Sequence, residues 1–169
     1  GVFHSVGVHD RRVARVVKAC QDLPGQELFQ YLDEMGKRHS VDSADVNEYL
    51  REVSGADFTA KDFRTWAGTM LAARALQECD VCKSNAKAKS NIVRAIEAVA
   101  DRLGNTRAVC RKCYVHPAVI DAYLDGSLAD AAKHHSRRKR GRKQRGLSSD
   151  EVVVLALLKQ RLKLPARKR

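Results

Sequence analysis

The sequence has no apolar run long enough to cross a bilayer. VVVLALL at 152–158 is the longest near its end, whereas a spanning helix needs about 20 such residues. No internal repeat recurs, which removes solenoid and array architectures. No secretory signal pattern opens the chain, and its five cysteines are an odd number, so a reducing, cytosolic setting is the expectation. The first residue is Gly1 rather than methionine. The opening VFHSVGVH alternates as a strand does, so the chain is expected to begin inside a fold and to be part of a longer protein. Acidic residues are scarce in one region only: residues 133–169 hold 14 Lys+Arg against 2 Asp+Glu, leaving 18 of each sign in residues 1–132. The net charge of +12 is therefore a C-terminal property. A basic tail attracts polyanions, nucleic acid first among them, by counterion release.

What is present reads as helix. Residues 2–8 suggest an edge strand. DRRVARVVKAC follows with Val13, Val16, Val17 and Cys20 at helical spacing, which makes Cys20 a core residue. LPG at 23–25 breaks that helix, and ELFQYL and KRHSV around DEMG fit a short hairpin or a loop. DSADVNEYLREVSG is a helix closed by Gly55. Thr59-Ala-Lys-Asp62 is a capping box that starts a helix near residue 60. AKSNIVRAIEAVADRLG is a second long helix, with Ile92, Ile96 and Val99 inward and Gly104 as its cap. TRAVCRKCY is short and helical, and Pro117 opens a further helix ended by Gly126. A basic linker is expected over 129–147. A second capping box, Ser148-Ser-Asp-Glu151, then opens a last amphipathic helix. The fold class is mainly α.

The stretch CRKCYVHP at 110–117 supports two readings. Cys79-x2-Cys82 and Cys110-x2-Cys113 could supply four thiolates to tetrahedral zinc. Their 27-residue gap holds a full amphipathic helix, where zinc ribbons have short strands and gaps of about 15–20 residues. The expectation is no bound metal and no cofactor. Alternatively Tyr114 is a nucleophile. A phenol with an ordinary pKa near 10 needs cationic neighbours and a positioned electrophile. Arg111 and Lys112 are adjacent, Arg64 follows a helix cap, and Asn105 lies nine residues before the tyrosine. A phosphodiester suits this set, because its transition state spreads negative charge that fixed donors can meet. His116 reads as a turn residue before Pro117.

TAKDFRTWAGT at 59–69, LGNTRAVCRKCYVHP at 103–117 and DLPGQELFQYLD at 22–33 together resemble the catalytic domain of bacterial and poxvirus-like type IB DNA topoisomerases. The resemblance covers residues 1–128 in order. It implies that Tyr114 attacks a DNA phosphodiester and holds the 3′ end as a phosphotyrosine, and that Arg64 contacts the scissile phosphate. It also implies that Asn105 takes the place of the histidine of poxvirus and eukaryotic enzymes, as in bacterial members. Lys61 would approach the backbone phosphates, and Arg111, Lys112, Arg137, Arg138, Lys139 and Arg140 are further candidate DNA contacts. The family also uses another arginine and a general-acid lysine, both from segments preceding this one. Residues 1–128 would then be a partial catalytic domain, 129–147 its basic linker and 148–169 a terminal helix. The expected partner is double-stranded DNA, engaged by a monomer in the bacterial nucleoid, with no membrane contact.

A tyrosine recombinase shares fold and chemistry, and Tyr114-Val-His116 fits its pattern. However, recombinases carry His-x-x-Arg and a histidine after LG, where this chain has Lys61-x-x-Arg64 and Asn105. A non-catalytic, zinc-stabilised DNA-binding module is the alternative from another class. The topoisomerase reading further requires Arg64, Asn105 and Tyr114 to converge on one surface.

Overall fold

A computed structural model describes residues 7, 9–79, 84–138 and 146–163, without the side chains of 135–138 and 163. The strand expected at 2–8, Cys82, and the candidate contacts Lys139 and Arg140 lie outside the described residues, as do the side chains of Arg137 and Arg138. The chain divides into two compact units, Gly1–Asp62 and Phe63–Arg169, where the sequence suggested one catalytic domain over 1–128.

In the first unit, Asp10 caps α1 (Arg11–Gln21) by accepting from the Arg12 and Val13 amides. The segment left open between hairpin and loop is a hairpin. β1 (Gln30–Leu32) pairs antiparallel with β2 (Arg38–Ser40), with Tyr31 opposite His39. Asp33 organises its turn by accepting from the Met35 and Lys37 amides, and its other oxygen meets His39 Nε2 at 2.8 Å. α2 (Ser43–Ser54) starts at a capping box of Asp42 and Asp45 and ends at left-handed Gly55. Burial departs from expectation here. Val13 and Val16 are 46% and 61% exposed, and Cys20 is half-buried rather than core. The apolar spacing makes a helix, but no element described in this unit covers that face. The one buried residue described is Gln30, whose amide reaches the Leu23 and Pro24 carbonyls.

α3 (Ala60–Gln77) begins at the end of the first unit and continues as the opening helix of the second. Asp62 closes its start: the Thr59 hydroxyl and amide both donate to that carboxylate, holding it below its ordinary pKa. α4 (Asn85–Leu103), α5 (Arg107–Val109), α6 (Pro117–Leu124), α7 (Ser127–Arg138) and α8 (Ser149–Lys163) follow. Ala72, Ala73 and Leu76 of α3 pack in one core with Ile92, Ala95, Ile96 and Val99 of α4. These positions recur every three or four residues, as a one-sided helix requires. Val119, Ala122, Leu128, Val154 and Leu157 complete the core.

Two expectations are corrected in this unit. α7 occupies the start of the segment read as a linker at 129–147, with Leu128 almost wholly buried at its head. Residues 110–114, read as ordinary helix, form a π-helical turn in which the Val115 amide donates to the Cys110 carbonyl at 3.0 Å.

Candidate active site

The site grows from the C-terminus of α4. Gly104 adopts the left-handed conformation (φ 65°, ψ 39°), and its amide returns to the Ala100 carbonyl. The Asn105 amide donates to that carbonyl too, at 3.0 Å, closing a Schellman motif that sets where Asn105 emerges. The last carbonyls of a helix lack internal partners and carry the negative end of its dipole. Arg64, in the second turn of α3, fills that position: its Nη2 donates to the Leu103 carbonyl at 2.7 Å and to Asn105 Oδ1. Since a guanidinium has no acceptor, Asn105 must face it with its oxygen, which leaves the amide NH2 as that side chain's donor face.

Arg64 also reaches the tyrosine. Its Cζ lies 5.1 Å from the centroid of the Tyr114 ring, within cation–π range. One guanidinium thus gathers groups that stand 39 or more positions beyond it in sequence. Arg64, Asn105 and Tyr114 are all half-buried, so the cluster is anchored yet open to solvent. Arg111 and Lys112 are exposed on the same turn as Tyr114. Lys61 is exposed in the first turn of α3, within the first unit. His116 caps α6, its Nδ1 accepting from the Ala118 amide at 3.2 Å, as a turn residue before proline would.

The cysteines do not form a set among the described residues. Cys110 is fully buried in the core and Cys113 is exposed, although they share one turn. Cys79, half-buried just past the end of α3, donates to the Ala75 carbonyl in that helix's last turn. Burial pushes the Cys110 thiol up, outweighing the opposing pull of the Arg64 charge. A protonated, apolar-packed thiol is a poor metal ligand.

Sequence reasoning missed the residues of α3 that hold the tyrosine's backbone: Thr65, Gly68 and Thr69. The legible signal was Gly68, an isolated glycine inside a helical pattern, which marks a close approach. A Cβ there would stand 2.6 Å from the Tyr114 carbonyl oxygen. It also missed the tie from Trp66 Nε1 to Glu151 on α8, at 3.1 Å.

A mainly helical domain thus gathers a tyrosine, an arginine and an asparagine around one cluster open to solvent. The family model described as the eukaryotic DNA topoisomerase I catalytic core matches residues 3–141. The chain belongs to the DNA topoisomerase I family. It is similar to the DNA topoisomerase 1B of Acanthamoeba polyphaga mimivirus, with 35% identity over 114 residues, 63% of this chain and 34% of the viral protein. The chain thus spans about a third of that relative's length. Neither the recombinase nor the zinc-module reading is favoured by these matches.

Proposed function

We propose that this chain is the nucleophile-bearing part of a type IB DNA topoisomerase that relaxes supercoiled DNA through transient single-strand cleavage. The observation that carries the reading is the Arg64 guanidinium, bonded to Asn105 and poised over the Tyr114 ring. Tyr114 Oη bonds to the scissile phosphorus and gives up its proton to bulk water, while the bond from phosphorus to the 5′ oxygen breaks. The DNA 3′ end stays on the tyrosine, and the 5′ oxygen leaves as a hydroxyl after taking a proton. Arg64 and the Asn105 amide donate to the non-bridging oxygens, where negative charge accumulates. The phosphotyrosine conserves the phosphodiester's bond energy, so reversal after rotation needs neither ATP nor a divalent metal.

In the intact protein, by family resemblance, a further arginine and the lysine that protonates the 5′ oxygen come from preceding segments. Lys61, Arg111 and Lys112 would meet the duplex backbone, and the basic residues 137–140 would add non-specific affinity. The enzyme would act as a monomer. A cytoplasmic setting on DNA, the nucleoid in a bacterium, is part of this proposal; the relative found is viral and adds no weight to a bacterial origin.

The test incubates the intact protein with end-labelled duplex, traps covalent adducts with detergent and maps the labelled peptide. The expected adduct is on Tyr114 with the 3′ end. Label on another residue, or none alongside efficient relaxation, overturns the assignment.

A further inference from the structure

The turn that carries Tyr114 ends abruptly. Val115 is extended (φ −113°, ψ 118°), so the Tyr114 carbonyl and the His116 amide have no helical partner. Both are met by one side chain. The hydroxyl of Thr69, 2% exposed, donates to the Tyr114 carbonyl at 3.4 Å and accepts from the His116 amide at 3.1 Å. One turn earlier on the same face of α3, Thr65 Oγ1 donates to the Cys113 carbonyl at 3.3 Å. Between them Gly68 lets the helix backbone lie directly against that of Tyr114. The i, i+3, i+4 spacing of Thr65, Gly68 and Thr69 makes this a continuous rail.

We propose that Thr69 is a positioning residue for the Tyr114 nucleophile, clipping the exit of the π-helical turn to the helix that also carries Arg64. This rests on the functional reading above. A phenolic oxygen stands far from its own backbone, so a small rotation at the Tyr114 carbonyl displaces it by a large fraction of an ångström. Such displacement at a reacting atom costs on the order of 10²-fold in rate. Because one helix holds both Arg64 and the clip, nucleophile and phosphate donor keep their register through any movement of α3.

The experiment measures single-turnover cleavage and DNA affinity of the intact protein for Thr69→Val, Thr69→Ser, Gly68→Ala and Tyr114→Phe, with amide exchange at residue 116. Thr69→Val keeps the shape and removes the hydroxyl. It should slow cleavage by about 10- to 100-fold, leave affinity unchanged and speed exchange at His116. Thr69→Ser should restore cleavage to within about threefold, because it restores the hydroxyl. Gly68→Ala pushes on the same carbonyl from the neighbouring position and should also lose rate without affinity. It keeps the proposal falsifiable if the valine variant misfolds. Wild-type cleavage by Thr69→Val and Gly68→Ala, beside an inactive Tyr114→Phe, overturns this proposal alone. A covalent adduct in Tyr114→Phe overturns the functional reading together with it.

Discussion

Around Arg64 each partner has a separate physical role. The Leu103 carbonyl anchors the cation at a helix C-terminus, Asn105 fixes a neutral donor beside it, and the Tyr114 ring packs against its face. Tyr114→Phe should abolish covalent adduct formation with DNA affinity nearly intact, since only the oxygen proposed as nucleophile is lost; gel shift and detergent trapping measure the two. Arg64→Ala should slow cleavage by ~10²–10³, the scale for one lost transition-state donor. It should also destabilise the domain, because the Leu103 carbonyl loses its partner. Cleavage near the wild-type rate in this variant would remove Arg64 from the chemistry. The two cysteines of the same turn give an independent check on its burial. Thiol alkylation near neutral pH should reach exposed Cys113 many-fold faster than buried Cys110, read by peptide mass spectrometry. Equal rates would mean the turn opens readily.

Among the elements, α8 is the one whose role differs most between sequence and structure. Expected as a separate terminal helix, it closes the core of the second unit through Val153, Val154 and Leu157. Polar ties fasten both its ends: Glu151 to Trp66, and Arg161 to Asp125 and Ser127. Leu157→Ala should cost about 2–5 kcal/mol in chemical denaturation, while Leu162→Ala, at a position 76% exposed, should stay within about 0.5 kcal/mol. Acid should act on the same ties. Glu151 titrates below its ordinary range because the Ser148 amide and the Trp66 indole N–H hold the anion. At Asp125 burial pushes upward, but donors from Ser127 and Arg161 outweigh it, and the net shift is also downward. Carboxylates depressed in the folded state stabilise it fully above their unfolded pKa of ~4, and that stability is lost as pH falls through the folded values. α8 should therefore stay docked at neutral pH and loosen only below about pH 4. Trp66 is the only tryptophan, so its emission reports the event. A transition centred near pH 6 would point to histidine instead.

For the whole molecule, the uneven charge sets the prediction. The excess of +12 lies entirely in residues 133–169. Deleting that segment would also remove α8 and uncover the core, so weakened binding would have two causes. Neutralising the seven Lys and Arg of 137–145 with glutamine spares α8. It should flatten the salt dependence of duplex binding by about 0.9 in log–log slope for each phosphate that the segment no longer neutralises. An unchanged slope would show that this segment does not touch DNA. This chain alone, whose match spans about a third of its viral relative's length, should relax plasmid far more slowly than the intact enzyme, because the general acid is assigned to another segment. Efficient relaxation by the chain alone would place the proton donor within it.

Helix starts and stops were legible because their causes lie within about four residues. Asp10 and the Thr59–Asp62 and Ser148–Glu151 boxes act on neighbouring amides, left-handed Gly55 and Gly104 donate to carbonyls one turn back, and each marks a boundary of the observed fold. The motifs around Arg64, Asn105 and Tyr114 named the family, although periodicity alone left cysteine and tyrosine readings open. Tertiary structure decided what depends on partners far along the chain. The apolar stripe of α1 predicts a buried face, yet only neighbours can bury it, and Val13 and Val16 stay exposed. The π-helical turn has no local code. It sits against α3, whose Thr65, Gly68 and Thr69 lie 45 or more residues away in sequence. Likewise Arg64 finds its carbonyl 39 residues on, at the end of a helix whose length and direction only the packed core determines.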